Sequence, residues 1–305
     1  MSLLEKEGQL AALQQQLNMC EDAVGKMQLE QQIRELSASM YHDLDAWDRV
    51  YLARHPQRPK AQDYLKRLFH TFYELHGDRC YGDDRSIIGG VAMFEQMPVT
   101  VIAQAKGKDL QENLKRNFGM PNPEGYRKAL RLAKEAEKFH RPIITFVDTS
   151  GAYPGKGAEE RGQAEAIAQC LFTFSNLKTP VICIVLSEGG SGGALALSVG
   201  DRLIMLENAI YSILSPEGFA SILWKDGSRA KEAANVMKLT AQDLMDKQII
   251  DAIISEPLGG AQNDLDAVCD QLRLSIRRSL QELTKTKMPI LLKNRYEKYR
   301  TIGVI

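Results

Sequence analysis

The amino-acid sequence predicts an α/β fold with a buried, mostly parallel sheet and helices at both ends of the chain. Apolar runs such as PIITFVD and VICIVL lack the polar alternation of a half-exposed strand, which is typical of strands covered on both faces. Helical segments separate these runs, as right-handed crossover connections require. Leucines at helical spacing precede the first apolar run, and a mostly helical pattern follows the last one.

The chain divides into three predicted parts. Residues 1–60 form a helical arm and a linker, and Pro56 and Pro59 break the helical pattern before the next part begins. Residues 61–285 form the α/β domain. Residues 286–305 form a C-terminal helical tail.

The first elements of the α/β domain are a helix and a hairpin. An amphipathic pattern predicts a helix over about 63–75, which Gly77 ends. The apolar runs IIGGVAMFE and VTVIAQAKG follow, and a tight turn at 96–98 joins them into a β-hairpin.

The rest of the domain alternates helices and strands. A helix is predicted over 123–140, the buried strand PIITFVD over 142–148, and a second helix in AEERGQAEAIAQCLFTFSNL. The buried strand VICIVL and a small-residue helix come next. RLIMLE and AIYSIL read as shorter strands, and the chain from about Asn263 onward reads mostly as helix.

The composition limits the class of protein. The chain has 305 residues, enough for one large domain or two small ones, and its 39 basic and 39 acidic side chains balance. A neutral chain has no net field that would attract nucleic acid or an anionic membrane. No apolar run approaches the ~20 residues of a membrane span and the N-terminus lacks the order of a signal peptide, so we expect a cytoplasmic protein with no membrane association.

The cysteines give no indication of a metal site. All five are scattered, and no two form a C-x-x-C pair. Only His76 and Cys80 lie close together among potential ligands, and nothing completes a set of four. We expect no metal in this chain and cysteines that are reduced and buried.

Two glycine-rich turns are the strongest functional signal. DTSGAYPGKG and LSEGGSGGALAL both stand where a buried strand leaves the sheet and a helix begins, which is the edge where α/β proteins bind ligands. Helix N-termini carry unsatisfied N–H groups, and a missing Cβ lets a ligand approach the backbone. These turns are therefore predicted to bind an anionic group.

A phosphate-binding loop is the first chemistry that these turns suggest. GAYPGKG resembles G-x-x-x-x-G-K-[ST], but its spacing is one residue short, and Gly157 stands where Ser or Thr would hold magnesium. The sequence therefore disfavours a nucleotide loop.

A nucleophile elbow is the second chemistry, because the glycines around Ser191 formally fit G-x-S-x-G between a strand and a helix. All five histidines precede Ser191, whereas elbow hydrolases place the histidine of their triad after the serine. A Ser-Lys pair with Lys225 stays open. Ser191 is also of a residue type preferred at helix N-caps, which explains its position without catalysis.

An oxyanion hole is the third chemistry. The main-chain N–H groups of Gly192 and Gly193 would form it, joined by those of Gly151 and Ala152 in the first turn. Such fixed donors are each worth roughly 2.7 to 4 kcal/mol in a transition state. The alternative is that the glycines only permit tight packing between strand and helix.

Several long motifs also resemble one known family. KRNFGMPNPEGYRKALRL, PIITFVDTSGAYPGKGAEERGQAEAIA, EGGSGGALAL and ILSPEGFASILWK, in this order, are similar to the alpha subunits of bacterial acetyl-coenzyme A carboxylase carboxyltransferases. ARHPQRP before them and IISEPLGGA after them match as well. The resemblance runs from Trp47 to Ala261, with a looser helical arm before it.

The resemblance implies a crotonase-like fold, a superhelix of ββα units, and transfer of a carboxyl group from carboxybiotin to acetyl-coenzyme A. The product, malonyl-coenzyme A, serves fatty-acid biosynthesis. The matching positions for the family's oxyanion donors are Gly192 and Gly193. The matching substrate-binding turns hold Gly151, Ala152, Gly189 and Gly190.

The resemblance also implies partners. The site lies between this chain and a beta subunit, which carries a zinc ribbon, in an expected alpha2beta2 assembly. Biotin arrives on a biotin carboxyl carrier protein, and ATP is used by a separate biotin carboxylase. When the carboxyl group leaves carboxybiotin, the ureido oxygen of biotin can carry the negative charge. The biotin anion can then take the proton from the acetyl methyl group, so no protein base is obligatory.

Two residues depart from the family pattern. Ser150 stands where the family often has Pro, and Ser187 where Gly commonly precedes EGGSGG. Neither change removes a proposed N–H donor. Three alternatives remain: another crotonase-fold enzyme acting alone on an acyl-coenzyme A, a serine hydrolase at Ser191, and a non-catalytic assembly subunit.

Overall fold

The computed structural model describes residues 3–303, which form one mixed eight-stranded sheet flanked by helices. The strands are β1 (His70–Glu74), β2 (Ile87–Phe94), β3 (Met97–Gln104), β4 (Ile143–Thr149), β5 (Val181–Gly190), β6 (Arg202–Leu206), β7 (Ile210–Ser212) and β8 (Ala252–Ile254). The helices are α1 (Leu3–Met19), α2 (Ala23–His42), α3 (Ala46–Ala53), α4 (Ala61–Leu68), α5 (Leu110–Lys115), α6 (Pro123–Lys138), α7 (Lys156–Glu160), α8 (Gln163–Asn176), α9 (Ser191–Leu195), α10 (Pro216–Trp224), α11 (Ala230–Met237), α12 (Ala241–Asp246), α13 (Leu265–Leu283) and α14 (Met288–Thr301).

The sheet has an antiparallel start and a parallel remainder. Its order is β1-β2-β3-β4-β5-β6-β8, and β7 pairs with the last residues of β5. β1, β2 and β3 pair antiparallel, whereas every later pair is parallel. The parallel part confirms the prediction from the unbroken apolar runs.

The predicted helix over 63–75 is wrong in its second half. Helix α4 ends at Leu68, and His70–Glu74 form β1 on the free edge of β2. Threonine and aromatic residues in HTFYE favour a strand, and the open edge of β2 supplies the backbone partners. The hairpin turn also lies one residue earlier than predicted, because Phe94 already pairs with Met97.

The centre of the sheet is formed by β4 and β5. Every residue of β4 is buried, and so is every residue of β5 except Gly190. Their register is parallel, with Ile144 beside Ile182, so their carboxyl ends meet at the same edge. Both glycine turns leave the sheet from that edge.

Helices cover the sheet on the side of β2 and β3. Helix α6 packs against β2, β3 and α8, and buries its apolar face. Leu132 of α6 lies so close to Gly89 of β2 that a side chain there would overlap it. No helix within residues 3–303 is long and apolar enough to cross a membrane.

Two buried arginines attach the ends of the chain to the sheet. Arg295 of α14 donates to both carboxylate oxygens of Asp201, at 2.8 and 2.6 Å. Arg58, in the linker before α4, donates to both carboxylate oxygens of Glu256 and to the carbonyl of Leu186 in β5. The side chains of Arg58 and Glu256 are both 0% exposed.

Candidate active site at two glycine turns

The first glycine turn follows β4, and the last residue of that strand, Thr149, closes the turn with hydrogen bonds. The hydroxyl of Thr149 donates to the carbonyl of Gly151 at 2.7 Å and accepts from the amide of Gly151 at 3.1 Å. Gly151 has a φ of 151°, a conformation that side chains disfavour. The amide of Gly151 is therefore already engaged by a hydrogen bond inside the turn.

The second glycine turn connects β5 to α9. Gly190 is the helix N-cap and provides no side-chain hydrogen bond to the first turn. The interpretation of Ser191 as the N-cap is wrong: it is the first helical residue, exposed, with a φ of 61°. A non-glycine residue in this left-handed region stores about 1–3 kcal/mol of strain, which the surrounding structure must hold.

The two turns pack directly against each other. A Cβ on Gly193 would lie 2.5 Å from the amide nitrogen of Ala152 and 2.7 Å from the hydroxyl of Tyr126. A Cβ on Gly190 would overlap the carbonyl oxygen of Ser150. The missing side chains therefore allow backbone to approach backbone.

All six glycine-turn residues predicted from the sequence lie together at this edge. Gly189 pairs with Thr149 across the two strands, and Gly193 touches the Gly151–Ala152 peptide. Gly192 is less crowded than Gly189, Gly190 and Gly193, because the nearest atom to a Cβ there would be Ile167 Cγ2 at 3.7 Å. A side chain at Gly192 would therefore make an ordinary contact, whereas one at Gly193 would overlap the first turn.

A largely apolar cavity of about 470 Å³ opens beside Gly192. Sequence reasoning missed it, because its walls come from β7, α10, α11 and α12, which are distant along the chain. Its lining residues are Ser191, Gly192, Leu195, Tyr211, Ser212, Ile213, Phe219, Met237, Lys238, Leu244, Lys247 and Ile249. Among the residues that the structure describes, Lys238 and Lys247 are the charged members of this lining, and no histidine or carboxylate belongs to it.

A cluster of charged side chains lies under the two turns. We call it the strand-end charge cluster, and its members are Arg54, Lys106, Asp148, Glu188 and Glu217. Lys106 Nζ contacts Asp148 Oδ1 at 2.9 Å and Glu188 Oε2 at 2.6 Å. Asp148 and Glu188 stand just before the two glycine turns, so Lys106 connects their starting points.

Arg54 extends the cluster toward α10. It contacts Glu188 at 2.7 Å and Glu217, in the first turn of α10, at 2.6 Å. Burial alone would raise the pKa of Glu188, but the charges of Lys106 and Arg54 outweigh it and hold that pKa at about 2. Burial alone would lower the pKa of Lys106, and its two carboxylate partners reverse this and raise it.

The cluster places two carboxylates next to the glycine turns. Asp148 and Glu188 share Lys106 there. The lowered pKa of Glu188 indicates that it is ionised, and Asp148 contacts the same ammonium group, so we interpret both as structural partners of Lys106. Within residues 3–303, no three His, Cys, Asp or Glu side chains converge as a metal site would require.

Comparison with known proteins identifies the family. A family model described as acetyl co-enzyme A carboxylase carboxyltransferase-like matches residues 2–303. The chain belongs to this family. Its relatives include the acetyl-coenzyme A carboxylase carboxyl transferase subunit alpha of Geobacillus sp. (strain WCH70), 56% identical over 90% of this chain and 85% of that protein. The subunit of the same name from Anoxybacillus flavithermus (strain DSM 21510 / WK1) is 57% identical over 90% and 85%.

Solved structures support the fold of this carboxyltransferase-like family member. Transcarboxylase 12S, crystallised with methylmalonyl-coenzyme A and methylmalonic acid, superposes with a TM-score of 0.62 at 17% identity, over 74% of this chain and 42% of that one. A Pseudomonas malonate decarboxylase hetero-tetramer with coenzyme A gives 0.58 at 18% identity, over 72% and 89%. The predicted crotonase-like α/β fold is thereby confirmed.

Proposed function

We propose that this chain is the alpha half of the carboxyltransferase of an acetyl-coenzyme A carboxylase. In this role it takes part in moving a carboxyl group from carboxybiotin, carried on a partner protein, to acetyl-coenzyme A. The product, malonyl-coenzyme A, is the building block for fatty-acid biosynthesis in the cytoplasm. Family membership and the names of relatives at 56–57% identity support this assignment.

One observation from the geometry carries the proposal. Two glycine turns from neighbouring parallel strands pack together beside an apolar cavity, and among the described residues its lining contains no His, Asp or Glu. We infer that main-chain amides of the turns, together with Lys238 and Lys247, supply the donors. A reaction that needs negative charge stabilised, with no base from this chain, suits the site.

The cavity fits the biotin ring as a bound group. Its volume of about 470 Å³ lies in the ~300–1,000 Å³ range of small-molecule pockets, and its walls are mostly apolar. Carboxybiotin supplies the carboxyl group and leaves negative charge on its ureido oxygen. The amide of Gly192, which borders the cavity, and that of Gly193 behind it are the donors we assign to that charge.

These amides are suited to the task because they lie in the first turn of α9. The first four N–H groups of a helix have no acceptor within the helix, and Gly190 supplies no side-chain cap. Donors fixed before the reaction need no reorganisation when charge develops, and each is worth roughly 2.7–4 kcal/mol. Lys238 and Lys247 add positive charge to the same cavity.

A partner subunit completes this site in our proposal. Ile213, which lines the cavity, is 78% exposed, and Ile222 and Leu223 of α10 are 68% and 58% exposed. Ile222 and Leu223 belong to the same helix as Phe219, which lines the cavity, and exposed apolar side chains on such elements favour a covering protein. We assign this face to the beta subunit, in an alpha2beta2 assembly that also receives the biotin carboxyl carrier protein and works with biotin carboxylase.

Reconstitution tests the proposal. The purified chain alone should form no malonyl-coenzyme A from biotinylated carrier and acetyl-coenzyme A, and activity should appear when a beta subunit is added. Turnover of an enoyl- or acyl-coenzyme A by the chain alone would instead select another crotonase-fold activity. Failure of the mixed subunits to transfer carboxyl groups, despite stable assembly, would contradict the proposal.

A further inference from the structure

The backbone amides that follow α9 donate to the carbonyls on either side of Gly193 and not to the carbonyl of Gly193 itself. The amide of Ala196 donates to Gly192 at 2.9 Å, and the amide of Leu197 donates to Ala194 at 3.1 Å. The carbonyl between these two acceptors receives the side chain of Gln104 instead, whose Nε2 lies 2.7 Å from it. A side chain from β3 thus replaces the missing helical hydrogen bond.

Gln104 is placed for this single contact. It is the last residue of β3 and is 0% exposed. Its other amide atom, Oε1, accepts no hydrogen bond from the residues that the structure describes. A buried acceptor without a partner is costly, so a purely structural network would be expected to satisfy both ends of the amide.

Gly193 is therefore held on two sides. Gln104 holds its carbonyl, while Ala152 and Tyr126 crowd its α-carbon. Two consecutive glycines are the most flexible backbone that a chain can contain, so the direction of their amides depends on such contacts. Fixed direction is what makes an amide useful to a developing negative charge.

We propose that Gln104 is a positioning residue, which orients the amides of the second glycine turn through its hydrogen bond to the Gly193 carbonyl; this inference rests on the proposed function of that turn. Gln104 itself is buried and does not touch substrate. Its effect passes through the backbone of Gly193. Loss of the contact lowers the rate of carboxyl transfer and leaves substrate affinity largely unchanged.

Two variants of Gln104 separate orientation from general damage. Gln104→Met keeps the length of the side chain and removes the donor, and we expect kcat to fall about 10- to 100-fold with little change in KM, since small misplacements of reacting groups have such effects. Gln104→Glu has a donor only when its carboxyl group is protonated. Burial favours the protonated form, so the kcat of this variant, relative to the unmodified chain, should rise as the pH is lowered.

Charged and titratable groups near Gln104 do not produce this pH signature. Lys106 and Glu188 lie in the strand-end charge cluster with Asp148, and the hydroxyl of Tyr126 lies next to the α-carbon of Gly193. The pKa of Glu188 is about 2, and the pKa values of Lys106 and Tyr126 are raised above their ordinary values. Gln104→Met, which has no titrating group at this position, should show a constant ratio to the unmodified chain at every pH.

Thr145→Val is the matched control. The hydroxyl of Thr145, in β4, donates to the carbonyl of Leu197 at 2.6 Å, so this variant also removes a buried hydrogen bond to the same segment, beyond the glycines. It should lower the melting temperature as Gln104→Met does, with kcat unchanged. An equal fall of kcat in Thr145→Val would overturn the proposal.

Amide hydrogen exchange of residues 189–195 in the chain alone gives a readout that needs no activity. Gln104→Met should exchange faster in this segment, and Thr145→Val should not. If the reconstituted unmodified enzyme transfers no carboxyl group, the proposed function fails while exchange still decides the role of Gln104. Unchanged exchange in Gln104→Met refutes that role.

Discussion

Adding one methyl group at Gly193 is the sharpest test of how the two glycine turns work. A Cβ there would lie 2.5 Å from the amide nitrogen of Ala152, whereas ordinary contact begins at 3.4 Å. In Gly193→Ala the first turn must therefore retreat by roughly 0.9 Å, because backbone cannot rotate away as a flexible side chain can.

The displacement should cost both stability and rate. Overpacking of this kind destabilises proteins by about 1–3 kcal/mol. A shift of about 1 Å at a reacting centre can reduce turnover about 100-fold. We expect Gly193→Ala to fold, to melt several degrees lower, and to lose about two orders of magnitude in kcat.

The measurements are thermal unfolding of the chain and malonyl-coenzyme A formation with a beta subunit. Gly82→Ala is the control, because no atom of residues 3–303 other than its immediate chain neighbours lies within 4 Å of its Cβ position, and it should match the unmodified chain in both assays. Gly192→Ala should leave the melting temperature nearly unchanged, since its new methyl group would meet Ile167 Cγ2 at an acceptable 3.7 Å. Full activity and an unchanged melting temperature in Gly193→Ala would refute the claim that the turns depend on direct backbone contact.

Two further predictions concern Ser191 and Glu188. Ser191→Ala should keep most carboxyltransferase activity, and Ser191→Gly should raise the unfolding free energy by about 1 kcal/mol in urea, because glycine relieves the φ of 61°; loss of activity in Ser191→Ala would favour a nucleophilic serine. The folded-state pKa of Glu188, about 2, lies below its ordinary value of 4.5, so its stabilisation is complete above about pH 4.5 and is lost as the pH falls toward 2. This group should contribute about 3 kcal/mol to the loss of unfolding free energy across that interval. In urea unfolding measured at several pH values, the unfolding free energy of Glu188→Gln should therefore fall less steeply with decreasing pH than that of the unmodified chain. An identical pH dependence would contradict the assignment.

The fold was predictable where local pattern and burial agree. The unbroken apolar runs of β4 and β5 predicted buried parallel strands, and both are buried almost throughout. The segment 70–74 was predicted as helix because the spacing of its apolar residues continues that of α4. It became a strand because the edge of β2 was available, which is a property of the fold and not of the segment.

The candidate site was predictable only in part, for a related reason. The glycine turns are recognisable in the sequence, because several glycines directly after a strand indicate a backbone that must be approached closely. Lys106, Asp148 and Glu188 carry no local signal, because only the parallel register brings the ends of their strands together. Gln104 is likewise an ordinary strand residue until the fold places it under Gly193.

The buried pair of Arg58 and Glu256 determines which part of the chain a shortened but stable protein must contain. A shortened chain that begins at residue 61 would keep every strand yet lose the guanidinium that neutralises Glu256, and this carboxylate, buried in the intact chain, would keep only its bonds from the amides of Asn208 and Ala261. Removing one member of such a pair typically costs about 3–5 kcal/mol, a large share of the stability of a whole domain. The α/β unit is therefore transferable between proteins only if the linker that carries Arg58 goes with it.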